Sequence, residues 1–266
     1  EVDFCILGEG EETIIHLMND SQHPEKIPGI AYRENQQVRQ TIRRARLKEI
    51  EKIPRPDWES IPLENYFNSK YSWTPTFNPN ARNMVILATR GCPYECTFCS
   101  NPEMWTTKYN VRPAEDVIDE LIHYMKEYKI TGFDFCDLTA VFHKKWIIEF
   151  TTLLIEKDLK LTWAPPVGTR SEVFSAEVVR LMKKSGCSYI NFSPESGSPE
   201  ILKKIKKRIN LQKMFESIKY CKNEQLPVRI NLIIGFPFEK RKHILQTILF
   251  QWKVALAGGD DSIIHF

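Results

Sequence analysis

From Met84 onward, short apolar runs alternate with amphipathic stretches, and this alternation constrains the fold more than any other feature of the chain. The runs predicted as strands are Met84–Ala88, Gly132–Cys136, Leu161–Ala164, Tyr189–Phe192, Val228–Ile234 and Ser262–Phe266, with helices near 114–128, 143–157, 175–185, 211–224 and 239–257. Pro113-Ala114-Glu115-Asp116 and Ser175-Ala176-Glu177 place acidic residues in a first helical turn, where the helix dipole favours them. Alternation of this kind implies right-handed crossovers and a parallel sheet. Six strands are too few for a standard eight-stranded barrel of about 250 residues. The expected fold is therefore α/β: a partial six-stranded parallel (β/α)6 barrel over 84–266, truncated after strand six, with a small N-terminal α/β remnant.

The segment before the barrel reads differently. Val2–Leu7 is a strand, Gly8-Glu9-Gly10-Glu11 a turn, and Glu12–Met18 a short helix. Ile30–Arg33 and Val38–Ile42 form a hairpin turning at Glu34-Asn35-Gln36. Residues 51–83 carry Pro54, Pro56, Pro62, Pro75 and Pro79, which argues for an extended connector laid over a surface and a domain boundary there. The expected organisation is thus 1–50, 51–83 and 84–266. With 266 residues, 42% of them hydrophobic, the chain can bury a substantial core, and disordered or low-complexity classes are excluded. A net charge of +3 is too small to argue for nucleic acid or an acidic membrane surface. No run approaches the ~20 apolar residues of a spanning helix. The N-terminus has neither Met nor a basic leader, so no signal peptide is expected, and the missing Met points to a chain processed, trimmed or cut from something longer.

The cysteines carry the chemistry. Seven is an odd count, which speaks against a disulfide framework and for a reducing, cytoplasmic setting. Three of them fall in Cys92-Pro93-Tyr94-Glu95-Cys96-Thr97-Phe98-Cys99, a C-x3-C-x2-C spacing in the loop directly after the first barrel strand, preceded by Thr89-Arg90-Gly91. In parallel α/β folds the C-terminal ends of strands bear the active site. Three thiolates on one tight loop can hold three irons of a cubane cluster and leave the fourth iron open. A zinc knuckle wants a fourth protein ligand, and the nearest histidine along the chain, His123, lies inside a predicted helix. Cys5, Cys136, Cys187 and Cys221 read as packing residues, and Lys203-Lys204-Ile205-Lys206-Lys207-Arg208 as a solvated helix face, with RNA contact the disfavoured reading.

These residues resemble the radical S-adenosylmethionine (SAM) enzymes, whose signature is C-x3-C-x-aromatic-C after the first strand of a partial barrel. The resemblance implies that Cys92, Cys96 and Cys99 ligate a 4Fe–4S cluster that binds SAM, with Phe98 close to the adenine. Phe133–Thr139 sits where the family has a Gly-Gly-Glu motif; Asp137 stands in the Glu place for the SAM amino group, without the glycine pair. Arg170, in Gly168-Thr169-Arg170, is implied as a SAM or substrate contact, and Glu195, in Ser193-Pro194-Glu195-Ser196-Gly197-Ser198, as a partner for a ribose hydroxyl or the ammonium. The strand Asn231–Ile234 and the turn Gly235-Phe236-Pro237-Phe238-Glu239 resemble the adenine-stacking strand, so Asn231 and Ile233 join the implied SAM contacts; Phe238 replaces the family's usual Gly, and Lys240 its Thr. No catalytic side chain is assigned.

Within that superfamily, Val2–Glu11 and the helix after it resemble the last strand and helix of a cobalamin-binding domain, and Ile53–Trp58 the connector that follows it. Phe135–Phe142 and Thr169–Glu172 are similar to anaerobic Mg-protoporphyrin monomethyl ester cyclase-like members. The Asp-x-His-x-x-Gly motif that supplies the lower cobalt ligand is absent, so these residues alone are not expected to hold cobalamin firmly. The resemblance implies reductive SAM cleavage to a 5′-deoxyadenosyl radical that abstracts hydrogen from a small-molecule substrate, with cobalamin-associated methyl transfer or cyclisation, and a one-electron donor such as flavodoxin or ferredoxin. The alternatives are a methylthiotransferase, which would show a second cysteine set upstream where only Cys5 stands, an oxygen-independent porphyrin enzyme, and a zinc-bearing nucleic-acid-binding module.

Overall fold

The computed structural model describes residues 2–69, 80–139, 141 and 143–266. Pro75 and Pro79 of the connector, and Ala140 and Phe142 of the segment after the second barrel strand, lie outside the described residues.

The chain opens with β1 (Phe4–Ile6) and α1 (Glu11–Asn19), then the hairpin β2 (Ile30–Glu34) and β3 (Gln37–Gln40). β1 pairs antiparallel with β2, and β2 with β3, in one three-stranded sheet. Asn35 and Gln36 turn the hairpin with φ of 47° and 62°, the left-handed pair that a two-residue hairpin loop requires. Cys5 alternates outward on β1 and is exposed, so it is not the packing residue expected of it.

The described part of the connector before residue 70 is wound in places rather than wholly extended. It holds 3₁₀ turns at Ile50–Lys52 and Trp58–Ser60, then α2 (Leu63–Asn68). Asp57 caps the second turn, its carboxylate accepting from the Ser60 amide. The prolines set φ, while local side-chain bonds close the turns between them.

Beyond the connector come β4 (Asn83–Ile86), β5 (Thr89–Arg90), α3 (Asn101–Met104), β6 (Asn110–Val111), α4 (Ala114–Tyr128), β7 (Gly132–Phe135), α5 (Lys144–Glu156), β8 (Thr162–Ala164) and α6 (Ala176–Lys184). They are followed by β9 (Ile190–Glu195), α7 (Pro199–Lys204), α8 (Leu211–Asn223), β10 (Val228–Ile233), α9 (Arg241–Ala257) and β11 (Asp261–His265). The connector is strapped to α4: Arg55 pairs with Glu120 at 3.0 Å, and Trp58 Nε1 donates to Tyr124 Oη at 2.8 Å.

The α/β class stands. β4, β7 and β8 form one parallel sheet, and β9, β10 and β11 a second. Between them run isolated parallel bridges at Trp163↔Cys187 and Thr169↔Phe192. The strands fall where the alternation places them, with the largest shift at β9, which continues to Glu195 because Leu232 of β10 pairs with it. Ser175 caps α6 as expected, accepting from the Val178 amide. Ser198 stands at the start of α7, but its hydroxyl makes no capping bond.

The core lies between the sheets and their helices. Phe133 stacks on Trp163 and Trp146 on Phe150, at ring separations of 6.0 and 5.0 Å, with Phe135 wedged edge-on between them. Such aromatic pairs contribute roughly 0.5–1.5 kcal/mol each beyond the area they bury. Because successive strand side chains point to opposite faces, burying Phe133 and Phe135 against α5 turns Asp134 and Cys136 to the other face. Cys187 and Cys221 are buried packing residues as expected, and Cys136 is half-buried just past β7.

Candidate functional site

The cysteine loop leaves the first parallel sheet at the end of β4. The β5–β6 pair, Thr89↔Val111 and Arg90↔Asn110, draws its two ends together. Gly91 opens the loop at φ +86°, and a Cβ there would fall on the Lys108 carbonyl oxygen, so only glycine fits without moving the loop. Asn101 holds the far side, its Nδ2 donating to the Cys92 carbonyl at 2.9 Å. The Cys99 amide donates to the Cys96 carbonyl at 3.0 Å, and the Asn101 amide approaches Cys99 Sγ at 3.5 Å. Cys96 is buried, Cys92 half-buried and Cys99 exposed.

Burial, helped by neighbouring thiols on the loop, raises the pKa of Cys92 and of Cys96, while Arg170 and, for Cys96, Lys207 oppose it. Metal binding at these thiols would displace their protons, so metal uptake here would be coupled to proton release. Among the described residues no three His, Cys, Asp or Glu side chains gather as a single ion would require. The donor set has the chemistry of a cluster, in which each thiolate takes its own iron.

Cations surround the loop. The Arg170 guanidinium lies 3.7 Å over the Tyr94 ring and donates to Glu172 at 2.8 Å. Lys207 Nζ bonds Glu195 Oε1 at 2.8 Å and stands 6.0 Å over the Phe98 ring. Sequence reasoning missed Lys207 by placing its whole run on a solvated face. The side chain is instead mostly buried, because Ile201, Leu202 and Ile205 pack inward and carry the turn after α7 against the cysteine loop. No periodic signal separates it from Lys203 or Lys206. Glu195 takes φ +67°, and burial pushes its carboxyl pKa up against the pull of Lys207.

Of the residues singled out from the sequence, Phe98 packs on Phe236 at 5.9 Å, and Phe236 stacks on Phe238 at the same distance. The strand-five turn therefore meets the cysteine loop, and Phe238, a departure from the family's glycine, extends the aromatic row. Glu239 closes that turn by accepting from the Gly235 amide at 2.6 Å. Asp137 is buried and turned back on β5: Thr89 Oγ1 donates to its Oδ1 at 2.6 Å, while Oδ2 is buried without a partner. Burial pushes its carboxyl pKa up to about 6 against these bonds. Asn231 donates to Ser193 Oγ at 3.3 Å, with its Oδ1 unpartnered, and Ile233 is half-buried along β10. Asn231 and Ile233 thus sit within the second sheet, on β10 before the turn that carries Phe236 to Phe98.

A three-thiol loop at the end of the first strand of a parallel α/β sheet is matched at the level of the whole domain: residues 86–250 fit the Radical SAM superfamily model. The chain belongs to the radical SAM superfamily. Membership brings with it a 4Fe–4S cluster and SAM as the cofactors. The chain is 31% identical over 258 residues to an uncharacterized methyltransferase of Pyrococcus horikoshii, covering 95% of this chain and 53% of that protein. It is 23% identical over 260 residues to the anaerobic magnesium-protoporphyrin IX monomethyl ester cyclase of Cereibacter sphaeroides, covering 94% and 41%. It also shares its fold with the radical SAM methyltransferase TsrM of Kitasatospora setae, solved with tryptophan and a SAM analogue, at a TM-score of 0.78 and 15% identity over 99% of this chain and 51% of that one. The chain spans about half the length of the curated relatives it matches. Among the described residues no helix is long and apolar enough to cross a membrane.

Proposed function

We propose that the chain is the radical SAM part of a cobalamin-associated methyltransferase or cyclase acting on a small molecule. In this reading Cys92, Cys96 and Cys99 hold the 4Fe–4S cluster, and the two parallel sheets are the halves of one partial six-stranded barrel. Residues 1–50 are the end of a cobalamin-binding domain, 51–83 its connector and 84–266 the barrel. The cysteine loop carries the reading: it sets three thiols just past the C-terminal end of the first parallel strand. The orphaned buried oxygens Asp137 Oδ2 and Asn231 Oδ1 suit a polar ligand with donors to offer, such as the SAM ammonium and ribose hydroxyls.

When bound, the cluster and SAM supply one-electron reductive cleavage that yields methionine and a 5′-deoxyadenosyl radical. The protein supplies orientation and exclusion of water. Phe98 and Phe236 offer an aromatic wall for the adenine. Glu195, held in its left-handed conformation and paired with Lys207, offers a carboxylate to a ribose hydroxyl. Arg170, clamped on Tyr94 and Glu172, holds a fixed positive charge beside the thiols. The seven free thiols suit a reducing cytoplasm. The methyltransferase relative of Pyrococcus horikoshii favours methyl transfer, and cobalamin, bound in a solved structure of TsrM, is the methyl carrier in this reading.

Anaerobic reconstitution with iron and sulfide tests the proposal. A brown protein with about four irons and four sulfides per chain, bleached by dithionite and cleaving SAM to 5′-deoxyadenosine or transferring its methyl group, supports it. Cys96→Ala is expected to lose both the colour and SAM turnover. A colourless protein with stoichiometric zinc sinks it.

A further inference from the structure

The start of α9 lacks a cap of its own. Lys240, at the N-cap, has no side-chain acceptor to offer the first free amides of the helix. His243, three residues on, makes a different bond there: its Nδ1 accepts from the Lys240 amide at 3.1 Å, the part a glutamate plays in a capping box. An amide only donates, so Nδ1 is bare and the ring proton sits on Nε2, which donates to Glu200 Oε2 at 2.9 Å. His243 is buried, and Glu200, the second residue of α7, also binds Lys242 at 3.0 Å and Lys204 at 3.3 Å. Bonds from Lys242, His243 and Lys204 push the Glu200 carboxyl pKa down to about 2, so a carboxylate faces the imidazole. Lys204 in turn stands 5.3 Å over the ring of Phe238, in the turn that precedes α9. One helical turn further along α9, the Thr247 hydroxyl donates to the His243 carbonyl at 3.1 Å, lies 3.1 Å from Ser196 Oγ and accepts from the Gly197 amide at 3.2 Å. A Cβ on Gly197 would fall on the Phe250 side chain, so α9 lies directly against the residues that follow Glu195.

We infer that His243 is a positioning residue: through its two ring nitrogens it holds the turn after Glu195 and the turn at 235–239 at the separation that a nucleoside spanning them requires. The inference rests on the proposed function, in which Glu195 meets a ribose hydroxyl and Phe236 the adenine. Strand pairing alone does not fix that separation. Glu195 is the last residue of β9, Phe236 lies past the end of β10, and the register between the two strands shifts after Ile230. The first turn of α9 is bonded to both sides: to the Phe236 side by the chain itself and the Lys240 amide, to the Glu195 side by Glu200 and, through Thr247, by Ser196 and Gly197. An imidazole suits the task because its acceptor and its donor sit at a fixed spacing on one rigid ring. Asparagine can present an acceptor where Nδ1 stands, and glutamine a donor where Nε2 stands, but neither does both.

The test uses the anaerobically reconstituted protein and two probes: S-adenosylhomocysteine, which carries the nucleoside, and methionine, which lacks it. His243→Asn keeps an acceptor for the Lys240 amide and gives up Glu200; His243→Gln keeps a donor for Glu200 and gives up the cap. Each is expected to bind S-adenosylhomocysteine on the order of tenfold more weakly in equilibrium dialysis, the effect of one lost capping or charge-assisted hydrogen bond. Methionine binding and iron content should stay at wild-type values. Glu200→Gln should weaken S-adenosylhomocysteine binding and add little to His243→Asn, since both cut the same bond. Hydrogen exchange read by mass spectrometry should quicken together in peptides covering 195–200 and 235–240, and not in those of α4 and α5. Unchanged S-adenosylhomocysteine affinity in either His243 variant overturns the inference. So does equal weakening of both probes, or loss of iron, which would mark a general loosening of the fold. If the wild type binds no S-adenosylhomocysteine, the proposed function fails instead; exchange that quickens in both turns then still supports the role of His243, and unchanged exchange in either turn overturns it.

Discussion

Asp134 shows what the concave side of the sheet costs a single residue. Asn83 donates to one of its carboxylate oxygens at 3.4 Å, and the other is buried without a partner. Burial pushes its pKa from 3.8 up to about 6. Between those values the folded chain holds a proton that the unfolded chain has released, so stability falls as pH rises through that window. The shift corresponds to about 3 kcal/mol, present below pH ~4 and lost above pH ~6. Asp134→Asn is expected to flatten that part of the stability–pH curve, as urea unfolding between pH 4 and pH 8 would show. The cysteine spacing was legible because covalent order along eight residues places the thiols on one loop whatever the rest of the chain does. Lys207 and Asp137 were harder. Whether Lys207 turns in or out depends on how Ile201, Leu202 and Ile205 pack, and Asp137 faces Thr89 because the ends of β4 and β7 lie side by side.

At the scale of elements, the alternation of strands and helices could be read closely because each carries a full period of apolar residues. The β5–β6 pair could not, since two residues a side hold no period, yet this pair closes the cysteine loop. Its tightest point is Gly91. Gly91→Ala combines a left-handed φ with a Cβ on the Lys108 carbonyl oxygen. The expected cost is about 1–3 kcal/mol of strain. A lower thermal midpoint together with iron content well below that of the wild type after reconstitution would show it; unchanged iron content would mean that the loop re-forms without the glycine. The turns at residues 50–60 are hard to read from the sequence, because Pro54 and Pro56 alone suggest an extended run. The Asp57 cap on Ser60 is local and readable, whereas the Arg55 and Trp58 anchors act across space and leave no local pattern.

Across the whole molecule, the N-terminal segment is locked to the cysteine loop through charge. Glu9 accepts from the Leu47 amide at 2.6 Å and lies 3.2 Å from Arg46 Nε and 3.5 Å from Arg90, and Glu11 also pairs with Arg90. Trp105 lies under both guanidiniums, at 5.3 and 5.5 Å. Residues 2–50 are therefore expected to melt with the two parallel sheets in one calorimetric transition. Glu9→Ala leaves two mostly buried guanidiniums short of a carboxylate, at an expected cost of about 3–5 kcal/mol in urea unfolding. Two resolved transitions in the wild type would contradict this coupling. The lock also has an order in time. Glu9 and Arg90 are separated by 81 positions and Glu11 and Arg90 by 79. On a ribosome adding roughly 5–20 residues per second, the acidic half waits roughly 4–16 s for its basic half to be made. Until then Glu9 has only Arg46 and the Leu47 amide, and Glu11 lacks Arg90. The N-terminal segment therefore docks only once Arg90 has been made, whatever it has folded by itself before then.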